Sequence, residues 1–194
     1  MADIGGDAIS AENRLDVPDS GIVHATAVDW RGRGALILGP SGSGKSTLAL
    51  WLMAWGARLV SDDGVMLRRD GTAMGDTTGD KRGETGGDSG GDNCEDKAEN
   101  GFLPGGKDDG RIVMTAPGSI AGRIEARGLG LLAAKAAAES VLVLVVDLSR
   151  AEPDRLPPQR RIVVLGQRYP LVLGAGNDHL APALLQMLRC GRVA

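Results

Sequence analysis

Residues 22–30 (Ile-Val-His-Ala-Thr-Ala-Val-Asp-Trp) alternate in polarity and are rich in β-branched side chains, which predicts a strand. Arg31-Gly32-Arg33-Gly34 reads as a turn, so this strand and the apolar run over residues 34–38 are expected to form a hairpin. The period then changes. Leu48, Leu52 and Trp55 fall on one helical face with Ala49 and Met53 beside them, predicting a helix that starts at Lys45 and stops at Gly56. Residues 57–60, 65–67 and 111–114 read as short strands, and residues 120–130 as a strand that becomes glycine-punctuated. The alanine-rich piece over 131–138 predicts a short helix. Residues 141–146 form an unbroken Val/Leu run, the strongest central-strand signal in the chain. Two late strands over 162–165 and 169–173 precede an amphipathic helix over 180–188, with Pro182 in its first turn.

Two stretches escape this pattern. Residues 1–20 are polar and acidic with few apolar anchors, and are expected to be a flexible lead. Residues 71–110 hold twelve glycines and ten acids against four bases, too little apolar surface to offset the entropy of ordering. They predict a disordered loop inserted into one domain spanning 21–194. Removing that loop leaves 18 bases against 15 acids, a mildly basic body that suits phosphate ligands but falls short of a nucleic-acid-binding signature. Aromatic residues make up 3%, so the core must be built from Val, Leu, Ile and Ala. Two cysteines make no disulfide framework, which fits a reducing cytoplasm. No run approaches the ~20 apolar residues of a membrane span, and the N-terminus lacks the order of a signal peptide.

The chemistry concentrates at Gly39-Pro40-Ser41-Gly42-Ser43-Gly44-Lys45-Ser46, a G-x-x-x-x-G-K-S phosphate loop set between a strand and a helix. In that setting backbone N–H groups wrap a phosphate and the helix N-terminus adds its positive dipole end. Lys45 reaches the β- and γ-phosphates and the Ser46 hydroxyl suits Mg²⁺. The site therefore takes a nucleoside triphosphate.

Two acidic positions compete to support phosphoryl transfer. Asp147 ends the apolar run over 141–146, where many nucleotide hydrolases hold their metal. Asp62-Asp63 follows the strand after the loop's own helix, and two adjacent carboxylates are costly unless cations compensate them. Asp-Asp-Gly is equally good turn chemistry. His24 lies on the first strand, and alternation puts Arg123, Glu125 and Arg127 on one side of a later one. That row could be a surface charge ladder or line a Mg–phosphate cleft.

Taken together, Val23-His24, the loop over 39–46, Gly56-Ala57-Arg58-Leu59-Val60-Ser61-Asp62-Asp63-Gly64-Val65 and Ile124-Glu125-Ala126-Arg127-Gly128-Leu129-Gly130 resemble the catalytic domain of HPr kinase/phosphorylase. The resemblance covers most of residues 20–175 apart from the insertion. It implies an α/β fold, a P-loop kinase domain with a mixed β-sheet flanked by helices, similar to phosphoenolpyruvate carboxykinase. It implies an ATP- and Mg²⁺-dependent serine kinase acting on the phosphocarrier HPr or an HPr-like protein, with a reverse phosphorylase reaction in the family. Carried onto this sequence, Asp62 would accept the serine proton, and His24 and Lys45 would assist at the phosphoryl group. Ser46 and Glu125 would hold Mg²⁺, Thr47 would follow them at the nucleotide, and Arg155 in Asp-Arg-Leu would match a catalytic arginine. A cytoplasmic homo-oligomer, a hexamer, is implied as well, in the short form of α-proteobacterial members.

The chain departs from the family at Ala25, where a glycine is usual, and at Thr47, where an acid is usual. Leu173-Gly174-Ala175-Gly176-Asn177 replaces the arginine- and asparagine-bearing loop tied to the phosphorylase reaction. Two other readings stay open: a generic P-loop ATPase or small-molecule kinase using Asp147, and a non-catalytic module that senses ATP.

Overall fold

The structure is a computed structural model, and residues 14–16, 21–70 and 111–192 are described. The expected disordered insertion over 71–110, and the lead over 1–13 and 17–20, lie outside the described residues.

The sequence folds into a curled mixed sheet with two helices. Its strands are β1 (Arg14–Leu15), β2 (Ile22–Val23), β3 (Thr26–Trp30), β4 (Arg33–Leu38), β5 (Arg58–Ser61), β6 (Val65–Arg69), β7 (Ile112–Thr115), β10 (Glu139–Asp147), β11 (Arg160–Val164) and β12 (Gln167–Leu173). The helices are α1 (Lys45–Ala54) and α2 (Leu180–Cys190), and β8 (Arg123–Ala126) pairs with β9 (Gly130–Ala133) as a separate hairpin. The main sheet runs β1-β11-β12-β10-β4-β3-β5, with β7, β6 and β2 branching from β10.

The unbroken apolar run becomes β10, parallel to β4 and β12 and antiparallel to β7. It feeds both faces: Val143, Leu144 and Val146 pack with Leu48, Leu52, Leu184 and Leu188 of the helices. Leu142 and Val145 join Leu67, Met114, Tyr169 and Leu171 on the other side. The β3–β4 hairpin forms as expected, Arg31 (φ 51°) and Gly32 (φ 84°) making the left-handed pair that suits the twist of flanking strands. Beneath it Asp29 is buried and accepts from Arg58, Ser140 and the Gly32 N–H.

Three expectations change. The strand over 22–30 breaks into β2 and β3, with β2 pairing β6 and β3 pairing β4 and β5. Arg14–Leu15, read as part of a flexible lead, pair in parallel with β11. The helix expected over 131–138 is absent: Gly130–Ala133 form β9, and Leu59 pairs through its N–H with the Lys135 carbonyl and through its carbonyl with the Ala137 N–H. Those bonds to β5 outweigh alanine's helix preference.

Candidate active site

Strand β4 ends at Leu38, and the chain wraps into the loop over residues 39–46 before α1 begins. Gly39 (φ 149°), Gly42 (φ 81°) and Gly44 (φ 94°) take backbone conformations that side chains rarely adopt. A Cβ on Gly39 would sit 2.5 Å from the Ser43 hydroxyl and 3.2 Å from Leu148 Cβ, so the loop closes only around glycine. The Ser43 hydroxyl is buried and has no hydrogen-bond partner among the described residues. An orphaned buried polar atom inside this loop fits a site whose acceptor is a phosphate.

Lys45 is buried to 7% exposure, and its Nζ donates to the carbonyls of Gly39 (2.9 Å) and Pro40 (3.1 Å). Nζ also lies 3.2 Å from His24 Nε2. A lysine can only donate, so Nε2 accepts and His24 carries its proton on Nδ1, which reaches the Asp63 carboxylate at 3.1 Å and the Asp63 carbonyl at 3.3 Å. Lys45, His24 and Asp63 thus form one chain of hydrogen bonds at the mouth of the loop.

Asp62 lies at the centre of a second set. It is 6% exposed and accepts from the Thr26 hydroxyl at 2.7 Å, the Ser46 hydroxyl at 3.0 and 3.2 Å, and the Glu125 N–H at 3.0 Å. Four elements meet there: β3 brings Thr26, α1 brings Ser46, the end of β5 brings Asp62 and β8 brings Glu125. The turn that follows is fixed by the Ser61 hydroxyl donating to the Gly64 carbonyl. Within it Asp63 has φ 66°, and its side chain stays 81% exposed. The Ser46 hydroxyl and the Asp62 carboxylate meet as oxygen donors, the chemistry that suits a hard divalent cation such as Mg²⁺, and the Glu125 main chain joins them through its N–H. Arg127 reaches toward the loop, its guanidinium 3.7 Å from where a Gly42 Cβ would stand.

Asp147 is placed beside the loop, level with Leu38 across the β10–β4 ladder. Its carboxylate is occupied by the Ser149 N–H (2.8 Å), the Ser149 hydroxyl (2.5 Å) and Arg150 Nε (2.8 Å). Burial opposes its charge, but the Ser149 and Arg150 contacts outweigh that and hold it below the ordinary carboxylate value.

Of the residues singled out in the sequence, His24, Lys45, Ser46, Asp62 and Glu125 converge. Thr47 is exposed in the first turn of α1. Arg155 is exposed in the loop between β10 and β11 and has no hydrogen bond or ion pair with any of the converging residues. Thr26 was missed; its one signal is a buried hydroxyl on the strand paired with the loop-bearing β4.

Residues 17–81, which include His24, the whole phosphate loop and both aspartates, match the HPr Serine kinase C-terminal domain family. Over those residues the chain resembles that family. It is similar to an HPr kinase/phosphorylase of Chlorobium phaeovibrioides, 49% identical over 51 residues, 26% of this chain and 15% of the relative. A Geobacillus HPr kinase/phosphorylase is 30% identical over 140 residues, 69% of this chain and 33% of the relative. The matched segments therefore span a third or less of these curated relatives' length. The structure of the HPr(Ser) kinase/phosphatase from Coxiella burnetii superposes with a TM-score of 0.54 at 20% identity, covering 86% of this chain and 92% of that one, and so shares the fold. Glu125 and Arg155 lie beyond the residues matched to the family; the Glu125 N–H meets Asp62, and Arg155 joins nothing at the site.

Proposed function

We propose that this domain transfers the γ-phosphoryl group of ATP to a serine hydroxyl of HPr or an HPr-like phosphocarrier protein, with Mg²⁺ as the metal. The observation that carries the reading is the junction at Asp62, where the Ser46 hydroxyl and the Glu125 strand meet one buried carboxylate at the mouth of the phosphate loop. Bound Mg²⁺ would supply charge neutralisation for the phosphates, held by Ser46 and Glu125. The glycines and N–H groups of residues 39–46 bind and orient the triphosphate, and Lys45 adds positive charge where negative charge develops. In the forward reaction the serine O–H proton passes to an aspartate, the serine oxygen bonds to the γ-phosphorus, and the bond to the β-phosphate oxygen breaks to release ADP. The reverse reaction would return that proton from the same carboxyl group.

Asp62 is our base by resemblance. One observation favours its neighbour: Asp62 already accepts from three donors, whereas Asp63 is exposed and coupled to His24. In that second reading Asp62 positions Ser46, and Asp63 takes the proton. Arg155 serves catalysis only if its loop moves in with the acceptor. Cytoplasmic location and a homo-oligomer, a hexamer, complete the proposal and are supported by family likeness.

The test is incubation with Mg-ATP and HPr followed by mass spectrometry of the phosphorylated residue. Phosphoserine is expected, whereas phosphohistidine or an unmodified carrier overturns the reading. Asp62→Asn and Asp63→Asn separate the two aspartates: the base variant loses kcat by at least about a hundredfold, and the positioning variant instead raises the Mg²⁺ concentration needed for half-maximal rate. Light scattering of the purified protein reads the oligomer.

A further inference from the structure

The β8–β9 hairpin stands apart from the main sheet and presents two unlike faces. Ile124 and Ala126 point into the body and are buried. On the other face Arg123 and Glu125 are exposed, and Leu131 is the direct cross-strand neighbour of Glu125. Opposed residues in such a pair have Cβ atoms about 5 Å apart. Leu131 is 69% exposed and Leu129, in the turn, is 79% exposed, with Leu132 also at the surface. Single exposed leucines are ordinary, but Leu129 and Leu131 lie two residues apart and are both largely exposed, whereas Leu132 pairs with Ile124 on the opposite face.

This patch borders the site. Glu125 donates its N–H to Asp62 on the same strand that aligns it with Leu131, and Arg127 reaches the phosphate loop at Gly42. The hairpin's return is tied to β5 through Leu59, three residues before Asp62. A partner seated on Leu129 and Leu131 is therefore held beside the metal-binding carboxylate and the phosphate loop. Arg123 and Arg127, on either side of Glu125, are exposed and have no ion-pair partner among the described residues.

We propose that this outward face, centred on Leu129 and Leu131, is the docking platform for the protein that carries the acceptor hydroxyl. The complementary surface is an apolar patch next to the acceptor serine, bordered by carboxylates that meet Arg123 and Arg127. The inference rests on the phosphotransfer reading above and adds the specificity determinants that a nucleotide site by itself lacks.

The experiment measures phosphorylation of HPr by the full chain and by Leu131→Asp, Leu131→Ala and Arg123→Glu variants, with Mg-ATP affinity measured separately. Burying one leucine predicts a rise in KM for the carrier of roughly tenfold or more in Leu131→Asp. A smaller rise is expected in Leu131→Ala, with kcat and Mg-ATP affinity retained in both. Arg123→Glu should also raise KM and weaken its dependence on salt. Normal phosphorylation by the unsubstituted protein together with unchanged KM in both leucine variants overturns the docking assignment alone. A changed oligomeric state in Leu131→Asp with unchanged KM also overturns it, and assigns the patch to a second copy of the chain. Absence of phosphorylation by the unsubstituted protein overturns the kinase reading and the docking assignment with it.

Discussion

Adjacent carboxylates repel, and the fold relieves Asp62 and Asp63 by sending them to different partners. Asp62 turns inward to three donors, while the left-handed backbone at Asp63 leaves its side chain outside with His24. Thr26→Val keeps the shape of the side chain but removes one donor from a buried acceptor. It should lower stability by about 1–3 kcal/mol, read in denaturant unfolding. Asp147 differs from both because its charge is committed to Ser149 and Arg150. Asp147→Asn should therefore leave phosphoryl transfer largely intact; if it abolishes transfer while Asp62→Asn and Asp63→Asn do not, the rival metal site is correct. The same variant has a pH signature. A carboxyl held below its ordinary value stabilises the fold above that value, and the contribution is lost as pH falls through the depressed one. The stability gap between wild type and Asp147→Asn should accordingly be largest near neutral pH and shrink only as pH falls through the carboxyl's lowered value.

Elements fixed by local pattern were readable before any coordinates: the phosphate loop, α1, the β3–β4 turn and the apolar β10 each need only neighbouring residues. The β8–β9 hairpin was misread because Ala133, Ala134, Ala136, Ala137 and Ala138 carry a helix preference worth tenths of a kcal/mol each. That preference loses to backbone bonds from Ala134 to Gly122 and between residues 135–137 and Leu59. The site divides in the same way. Lys45 and Ser46 follow from the loop motif, but the Glu125–Asp62 contact spans 63 positions and no spacing rule encodes it; only the family likeness pointed to Glu125. Thr26 had neither signal. The β4–β10 ladder carries a test of its own, since a Cβ on Gly34 would lie 2.3 Å from Met114 Cε and 2.7 Å from the Val141 carbonyl. The methionine can swing aside but the backbone oxygen cannot. Gly34→Ala should cost about 1–3 kcal/mol by overpacking, seen as a lower Tm.

Two clusters of core side chains lie on opposite faces of the sheet, one under α1 and α2 and one under β6, β7, β11 and β12. β10 belongs to both, so neither can open while β10 keeps its neighbours on the other face. Nature has labelled them separately. Trp30 packs against the helical cluster, and Tyr169, the chain's one tyrosine, is buried in the other. Burial pushes the Tyr169 phenol above its ordinary value, so its tyrosinate absorbance should appear at higher pH while that cluster is closed than once it opens. Leu184→Ala in the first cluster and Leu171→Ala in the second should each cost about 2–5 kcal/mol. If β10 couples the faces, either substitution shifts the tryptophan-emission and tyrosine-absorbance midpoints together, as a two-state domain requires. Separate midpoints, with each substitution moving only its own probe, would mean that the phosphate loop and Asp62 sit on independently stable halves. The active-site geometry would then depend on their docking and no longer on one shared strand.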